Sequence, residues 1–550
     1  MKKNKNLGPS LFDELSEKDT MQDICKSLEC EYGIPGWPDK FGKALTLYLN
    51  NHNCPKIRTL SLFSGAGGLD IGFHDLGFDI IESVEIEQKF CNTLFLNSGE
   101  GKKFSTSKPN CIDIRDYVGN NLGQIDFIIG GPPCQTFSAA GRRQGGVLGT
   151  TDARGVLFRE YVRLLEKLQP KGFLFENVYG IVGAQNGEPW REIKKSFSDV
   201  GYNLYYRIID AADFGVPQHR ERLIIVGLKE GEFKFPRPIN GCDSANNNPL
   251  YSAGCALSGL ALTEEEKKVG ISGRFGKVIN DIPPGLNYSF YTKEMGHPNP
   301  IFAWRSKFSD FMYKADPDVP VRTIKAQGGQ YTGPLHWDTR YFALSEFKRL
   351  QTFPDDYIIS GVKQVAVHQI GNSVPPQLAR MMALAIRIQV FGTQFPFNLE
   401  FIPEYVELSF RKNKRDLTKS YQSKAKEAIG KMMTIGADAK LENKEFYLSL
   451  NERFKYIESQ SCGDYKIHVK WDNSLLSIHV VPNDSTKVSD ESQITIKPVK
   501  SWSIPVKMVV LKVNSAEWMA VTAAWKVFDR ILIENKLKAD LVQLNGYYQY

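Results

Sequence analysis

Cys134 closes the run Gly130-Gly131-Pro132-Pro133-Cys134 and is followed by Gln135; the run comes directly after the apolar stretch Ile125 to Ile129. Such a stretch reads as a buried strand, and two prolines stiffen the turn after it. In an open α/β sheet, ligands bind at the carboxyl edge of the strands, so the thiol is placed as a nucleophile rather than as core filling. Two further blocks belong to this edge. Glu176-Asn177-Val178 ends the strand-like run Phe173 to Phe175, and Gln218-His219-Arg220-Glu221-Arg222 precedes Leu223 to Val226. Alone, the first is an ordinary strand end and the second a solvated charge run. Together they bring a thiol, a carboxylic acid and two guanidinium groups to one rim. Those are the parts of covalent catalysis, with an acid to protonate the substrate and an arginine to stabilise developing negative charge. Arginines near a thiol also favour its thiolate.

The elements that must position these groups follow from periodicity. Strand-like runs occur at Thr59–Phe63, Ile80–Ile86, Ile125–Ile129, Phe173–Phe175, Leu204–Ile209 and Leu223–Val226. Helical periods lie between several of them, at Leu69–Leu76, Gln88–Leu96 and Val156–Leu168. Alternating β and α predicts an α/β fold with a mainly parallel sheet covered on both faces. Residues 1–56 form a mostly helical leader, with helical spacing at Met21–Leu28 and Phe41–Leu49, and 57–229 the α/β core. Residues 230–355 form a loop-rich lobe, and 356–397 a helical return to the core through Gln377–Val390. Residues 398–550 add an α+β extension, with a basic run at Arg411-Lys-Asn-Lys-Arg415 and strands at Lys466–Lys470, Leu476–Val481, Ile494–Ile496 and Val506–Val513. A closing helix carries Trp518, Val521, Trp525, Phe528 and Leu532 on one stripe.

A second site is marked by Leu60-Ser-Leu-Phe-Ser-Gly-Ala-Gly-Gly-Leu-Asp70, the link from the first strand to the first helix. Glycines there let backbone N–H groups and the helix N-terminus approach a ligand. The dinucleotide pattern is absent, because Asp70 stands where the third glycine would be, and no Lys-Ser/Thr pair follows as in a triphosphate loop. Glu85 ends the second strand 20 residues after Gly65, where a carboxylate can accept from ribose hydroxyls. Asp113-Ile114 supplies another acid and an apolar surface for an adenine ring. An adenosine cofactor without a pyrophosphate fits best, and S-adenosylmethionine is the common one.

The thiol, acid and guanidinium suit methylation at carbon 5 of cytosine. A thiolate adding to carbon 6 turns that poorly nucleophilic ring into an enamine. At this point the chain resembles the cytosine-5 DNA methyltransferases. The resemblance rests on five ordered blocks: Phe63-Ser-Gly-Ala-Gly67, Pro133-Cys134-Gln135, Glu176-Asn177-Val178, Gln218-His-Arg-Glu-Arg222 and Gly371-Asn-Ser-Val-Pro-Pro376. It implies a Rossmann-like S-adenosylmethionine-dependent fold in which Cys134 is the nucleophile and Glu176 protonates N3. It implies that Arg222 contacts the cytosine and Arg220 the substrate or its phosphate. Phe63, Gly65, Gly67, Glu85, Asp113, Leu157, Asn372 and Ser373 would line the cofactor site. Ile86 and Ile114 would give the adenine apolar surface, Ile86 standing where many members carry Trp. The glycine-rich stretch Thr136 to Arg154 would be the loop that closes over DNA. Gln135, Ser138, Arg142, Arg143, Arg322 and Thr323 would contact DNA. The lobe would read the target sequence, with Arg237, Arg274, Lys277, Arg305 and Lys307 available for phosphates or guanine edges.

Composition sets the remaining bounds. The chain has 550 residues, 42% hydrophobic and 24% charged, with a net charge of +7. A mild positive charge permits a nucleic-acid partner. No run approaches the length of a membrane span, and the polar, lysine-rich start carries no apolar signal. Nine scattered cysteines form no CxxC pair or zinc spacing, so no metal is expected and the cysteines are read as reduced, cytoplasmic thiols. The resemblance implies a bacterial restriction–modification enzyme that acts on double-stranded DNA as a monomer, nucleoid-associated when bound, with a separate cognate endonuclease. The product of the cofactor would be S-adenosylhomocysteine. Two alternatives stay open: a tRNA cytosine-5 methyltransferase of the same family, and a non-enzymatic DNA-binding protein with the same fold.

Overall fold

A computed structural model describes residues 19–133, 157–267, 270–273, 275–298, 300–304, 308–409 and 421–430, and the backbone of seven strands between 446 and 546. Its central sheet has seven strands: β1 (Ile57–Leu62), β2 (Phe78–Glu85), β3 (Lys108–Cys111), β4 (Phe127–Gly130), β5 (Gly172–Val178), β6 (Asn203–Asp210) and β7 (Glu221–Leu228). Their order is β3-β2-β1-β4-β5-β7-β6. The first five run parallel, and β7 is antiparallel to both β5 and β6. β4 is buried at every residue and β5 at all but its last, which is why both read as continuous apolar runs rather than as alternation. β3 was not expected. Lys-Pro-Asn-Cys has neither pattern, and its proline is tolerated because the strand lies at the sheet edge.

Successive residues of each strand feed opposite faces. Ile129 and Leu174 join one apolar cluster with Phe73 of α3 (Gly68–Asp75) and Leu378 of the long helix Pro376–Phe391. Ile128 and Phe173 join the other, with Tyr161 and Phe197 from the helices Leu157–Leu168 and Glu188–Asp199. The leader is part of the first cluster. Helix α1 (Met21–Ser27) contributes Ile24, and α2 (Trp37–Asn51) contributes Trp37, Phe41 and Leu45, each 0% exposed.

Under α2 lies a buried ion pair, Arg380 Nε to Asp75 Oδ2 at 2.7 Å, joined by Lys103 Nζ on Oδ1 at 2.6 Å. Burial works to raise the Asp75 pKa, but the two cations overcome it and hold the carboxyl below its ordinary range. A Cβ at Gly42 would collide with both Asp75 and Arg380, so α2 can lie over the pair only with glycine there.

In residues 230–355 regular structure is sparse, as expected. Short helices at Ala253–Leu257, Glu264–Lys267 and Gly276–Asp281 are joined by irregular chain around edge-on aromatic contacts among Phe275, Tyr288, Phe302 and Phe311. The return is made by the helices Leu344–Leu350 and Lys363–Asn372, then Pro376–Phe391. The extension carries strands at Phe446–Leu450, Ile457–Cys462, Tyr465–Asp472, Leu475–Pro482, Ser492–Pro498, Ile504–Val510 and Asn545–Gly546. All pair antiparallel except the last. Four matched strand-like runs; Ile457-Glu-Ser-Gln-Ser-Cys462 has no apolar alternation to announce it. The expected closing helix lies outside the described residues. Among the described residues no helix is long and apolar enough to cross a membrane.

Candidate active site

The ends of β4, β5 and β7 build one rim. Gly130 of β4 is in register with Phe175 of β5, and Val178 of β5 with Arg222 of β7. Glu176 and Arg222 therefore project close together, and Arg222 Nε reaches Glu176 Oε1 at 2.6 Å. Their side chains are only 12% and 13% exposed, so this charge-assisted contact is shielded from water. The turn after β4 is fitted to the acid. A Cβ on Gly131 would lie 2.7 Å from Glu176 Oε2, and Asn177 Nδ2 donates to the Pro132 carbonyl at 3.3 Å. The turn leads into Cys134, which lies outside the described residues with Gln135, Ser138, Arg142 and Arg143.

Arg220 departs from expectation. Instead of facing substrate or phosphate, it is 1% exposed, and its Nη2 donates to the Gly371 carbonyl at 2.9 Å. Burial pushes its guanidinium pKa down, and Arg222 adds to that. It acts as a brace between two sequence blocks. Gln218 does the same through a chain that sequence reading missed. Its Nε2 donates to Gln351 Oε1, and Gln351 Nε2 donates to the Ser373 carbonyl at 2.7 Å. His219 Nδ1 pairs with Asp210 Oδ2 at 2.8 Å. Gln351 and Asp210 carried no local signal, because their partners lie on other elements.

The glycine loop meets the end of β2. Glu85 Oε2 accepts from Gly65 N at 2.8 Å, and Oε1 accepts from Ile86 N and Glu87 N, both at 2.9 Å. Burial raises the Glu85 pKa while these three donors oppose the rise. Gly65 has φ +56° and no heavy atom within 4 Å of where a Cβ would sit, which leaves an open cradle. Phe63 and Gly67 share the left-handed backbone at φ 54° and 79°. Ile86 is 59% exposed at this edge, and Ile112, not anticipated, is also exposed and donates its N–H to the Glu85 carbonyl at 2.9 Å. Ile114 is 5% exposed and packs in the apolar cluster that holds Leu62 and Val84. Asp113 is engaged by Arg115, which holds its pKa down. Leu157 is half-buried against the same core. Ser373 is brought to the loop, 3.0 Å from a Cβ placed on Gly68, while Asn372 is exposed. Tyr357, which no motif indicated, donates from its hydroxyl to the Ala66 carbonyl at 2.8 Å and bars a side chain at Gly67.

Asp70 lies beneath this loop, 1% exposed, accepting from Ser61 Oγ at 2.5 Å. Burial, reinforced by Glu85, raises its pKa to about 7 against the bonds from Ser61 and Ser64. A carboxyl raised in the folded state costs nothing below its unfolded pKa near 4 and its full cost above about pH 7. Asp70→Asn is therefore expected to be stabilised relative to the parent at pH 8, on the order of 1–3 kcal/mol, and unchanged near pH 4. Denaturant midpoints at the two pH values check this; equal differences at both would refute it.

At the rim of the lobe, Val321 bridges Gln218, and Thr323 Oγ1 donates to the His219 carbonyl at 2.7 Å. Arg322 lies over the Tyr313 ring at 3.9 Å. Arg237 is paired with Glu400 at 3.0 Å and Lys277 is exposed, while Arg274, Arg305 and Lys307 fall outside the described residues. Among the described residues no group of three or more His, Cys, Asp or Glu could hold a metal ion.

The chain is 33% identical over 378 residues to the Type II methyltransferase M.SacI of Streptomyces achromogenes, a match covering 62% of this chain and 94% of that protein. It is 33% identical over 353 residues to the Type II methyltransferase M1.HphI of Haemophilus parahaemolyticus, covering 60% of this chain and 87% of the relative. The family model of the C-5 cytosine-specific DNA methylases matches residues 57–388, which takes in the rim, the glycine loop and the loop-rich lobe. With the seven-stranded α/β sheet and both sites inside that span, the chain belongs to the C-5 cytosine-specific DNA methylase family and is a methyltransferase.

Proposed function

We propose that the chain methylates carbon 5 of cytosine at a specific sequence in double-stranded DNA, with S-adenosylmethionine as donor, as a type II modification enzyme. The observation that carries this reading is the shielded Glu176–Arg222 pair, 2.6 Å apart beside the turn that leads into Cys134. The donor's site is assigned to the glycine loop. The open cradle over Gly65, the Glu85 carboxylate and the exposed Ile86 suit the amino-acid, ribose and adenine parts of an adenosyl compound. When bound, S-adenosylmethionine supplies an electrophilic methyl group.

The chain's own residues do the rest. The target base leaves the duplex, at a cost of a few kcal/mol that phosphate and groove contacts must offset. Cys134 thiolate bonds to carbon 6, and Glu176 holds a proton at N3 so that the ring does not accumulate charge. Arg222 donates to O2 while holding Glu176 in place. After methylation the carbon 5 proton is lost to a base, and the Cys134–carbon 6 bond breaks to restore aromaticity. Arg142, Arg143, Gln135 and Ser138 are proposed to close on DNA, and Arg322 and Thr323 to contact it from the lobe. We assign a cognate endonuclease to a separate chain and propose that the enzyme acts as a monomer in the bacterial cytoplasm.

Incubation with labelled donor tests the proposal. Label is expected in duplex DNA at one sequence context and not in tRNA. Label in tRNA alone would transfer the assignment to the RNA-modifying branch, and no label in any cytosine-containing duplex would overturn it.

A further inference from the structure

The family match ends at residue 388, yet a helix over residues 421–430 is tied into the recognition lobe. It buries Ala425 and Ile429, which share one face at i,i+4 spacing. Lys424 forms an ion pair with Asp316. At the first described residue of this helix, Tyr421 has a saturated hydroxyl. It donates to Asn287 Oδ1 at 2.5 Å, accepts from Asn287 N at 3.1 Å, and lies 2.9 Å from Ser289 Oγ.

The Asn287 amide is oriented by two donors on its oxygen, the Tyr421 hydroxyl and Ser289 N at 2.9 Å. The Nδ2 end is thereby aimed at the Ser309 carbonyl, to which it donates at 2.5 Å. Arg322 Nη1 donates to the same carbonyl at 2.7 Å. The guanidinium also lies 3.9 Å from the centroid of Tyr313 and 5.9 Å from that of Tyr421, with Asp310 Oδ1 3.9 Å from Nη1. Arg322 keeps 35% of its side-chain surface exposed, and the next residue, Thr323, is bonded to the block that ends in Arg222. An arginine anchored by a carbonyl and a ring and still partly exposed presents directed N–H donors, which suit phosphate oxygens and guanine edges.

We propose that Tyr421 is a positioning residue for DNA recognition: through Asn287 and Ser309 it fixes the Arg322 guanidinium for an acceptor on the duplex. This rests on the assignment of duplex DNA as substrate. The helix 421–430 is then a working part of the recognition lobe, although it lies outside the family match.

Tyr421→Phe keeps the ring and the helix but removes the hydroxyl. Full-length protein carrying it is expected to bind a duplex with the target sequence roughly threefold to tenfold more weakly, raising KM for DNA more than it lowers kcat. Arg322→Ala is expected to weaken binding further. In the Arg322→Ala background Tyr421→Phe should have no added effect, because the hydroxyl acts through the guanidinium. Equal loss on all sequences, with a shallower salt dependence, identifies a phosphate as the acceptor; a relaxed target sequence identifies a base edge. Unchanged affinity in Tyr421→Phe, or an effect that persists undiminished beside Arg322→Ala, overturns the proposal. A parent protein that neither binds nor labels duplex DNA overturns the substrate assignment itself.

Discussion

Cys134→Ala is expected to lower methyl transfer to duplex DNA at least roughly a thousandfold, with duplex affinity largely kept. In the proposed mechanism the Cys134 thiolate is the group that makes carbon 5 of cytosine, a weak nucleophile, a strong one. Glu176 and Arg222 can only stabilise charge that an addition at carbon 6 has already created. Without the thiol they have no such charge to act on, so their contribution falls with it, and the loss exceeds that of removing either alone. A duplex containing 5-fluorocytosine separates chemistry from binding, because fluorine cannot leave as a cation and the covalent adduct persists. The parent should form an adduct that survives denaturing electrophoresis, and Cys134→Ala should form none. Transfer at the parental rate by the alanine variant would end the covalent reading.

The parts of this site that could be read from sequence share one property: their neighbours in space are announced by strand periodicity. Apolar runs ending at Phe175 and beginning at Leu223 place Glu176 and Arg222 near one edge, and the register of β5 and β7 brings the two into contact. Glu85 was legible for the same reason, as the polar end of a buried strand. Arg220 was not. An arginine in a charge run looks solvated, and only the position of Gly371, 151 residues away, makes it a buried brace. Tyr357, Gln351 and Tyr421 had no pattern at all. Each acts on a loop from an element 130 or more residues distant, by one or two hydrogen bonds that leave no period in the chain.

The leader teaches a related point. Phe41 and Leu45 announce an amphipathic helix, but not that the helix closes over the Asp75–Arg380 pair, which Gly42 alone permits. A glycine within a helix reads locally as a weakness. Its value appears only when a buried ion pair occupies the space that a methyl group would take.

Glu176→Gln should separate proton donation from geometry, and transfer is expected to fall roughly a hundredfold to ten-thousandfold. Glutamine fills the same volume beside Gly131 and can still accept from Arg222, but it has no acidic proton to share with N3. The substitution also takes from Arg222, 13% exposed, the countercharge of Glu176, so some loss of stability is expected with it. The two effects are separable. Loss of stability shows as a lower unfolding midpoint and is relieved by working well below it; loss of the proton donor persists at any temperature where the variant is folded. The adduct with 5-fluorocytosine should form much more slowly in Glu176→Gln, since addition of the thiolate would then leave the ring anionic at N3. A variant that is fully folded and forms the adduct at the parental rate would show that Glu176 only holds Arg222 in place, and the proton at N3 would need another source.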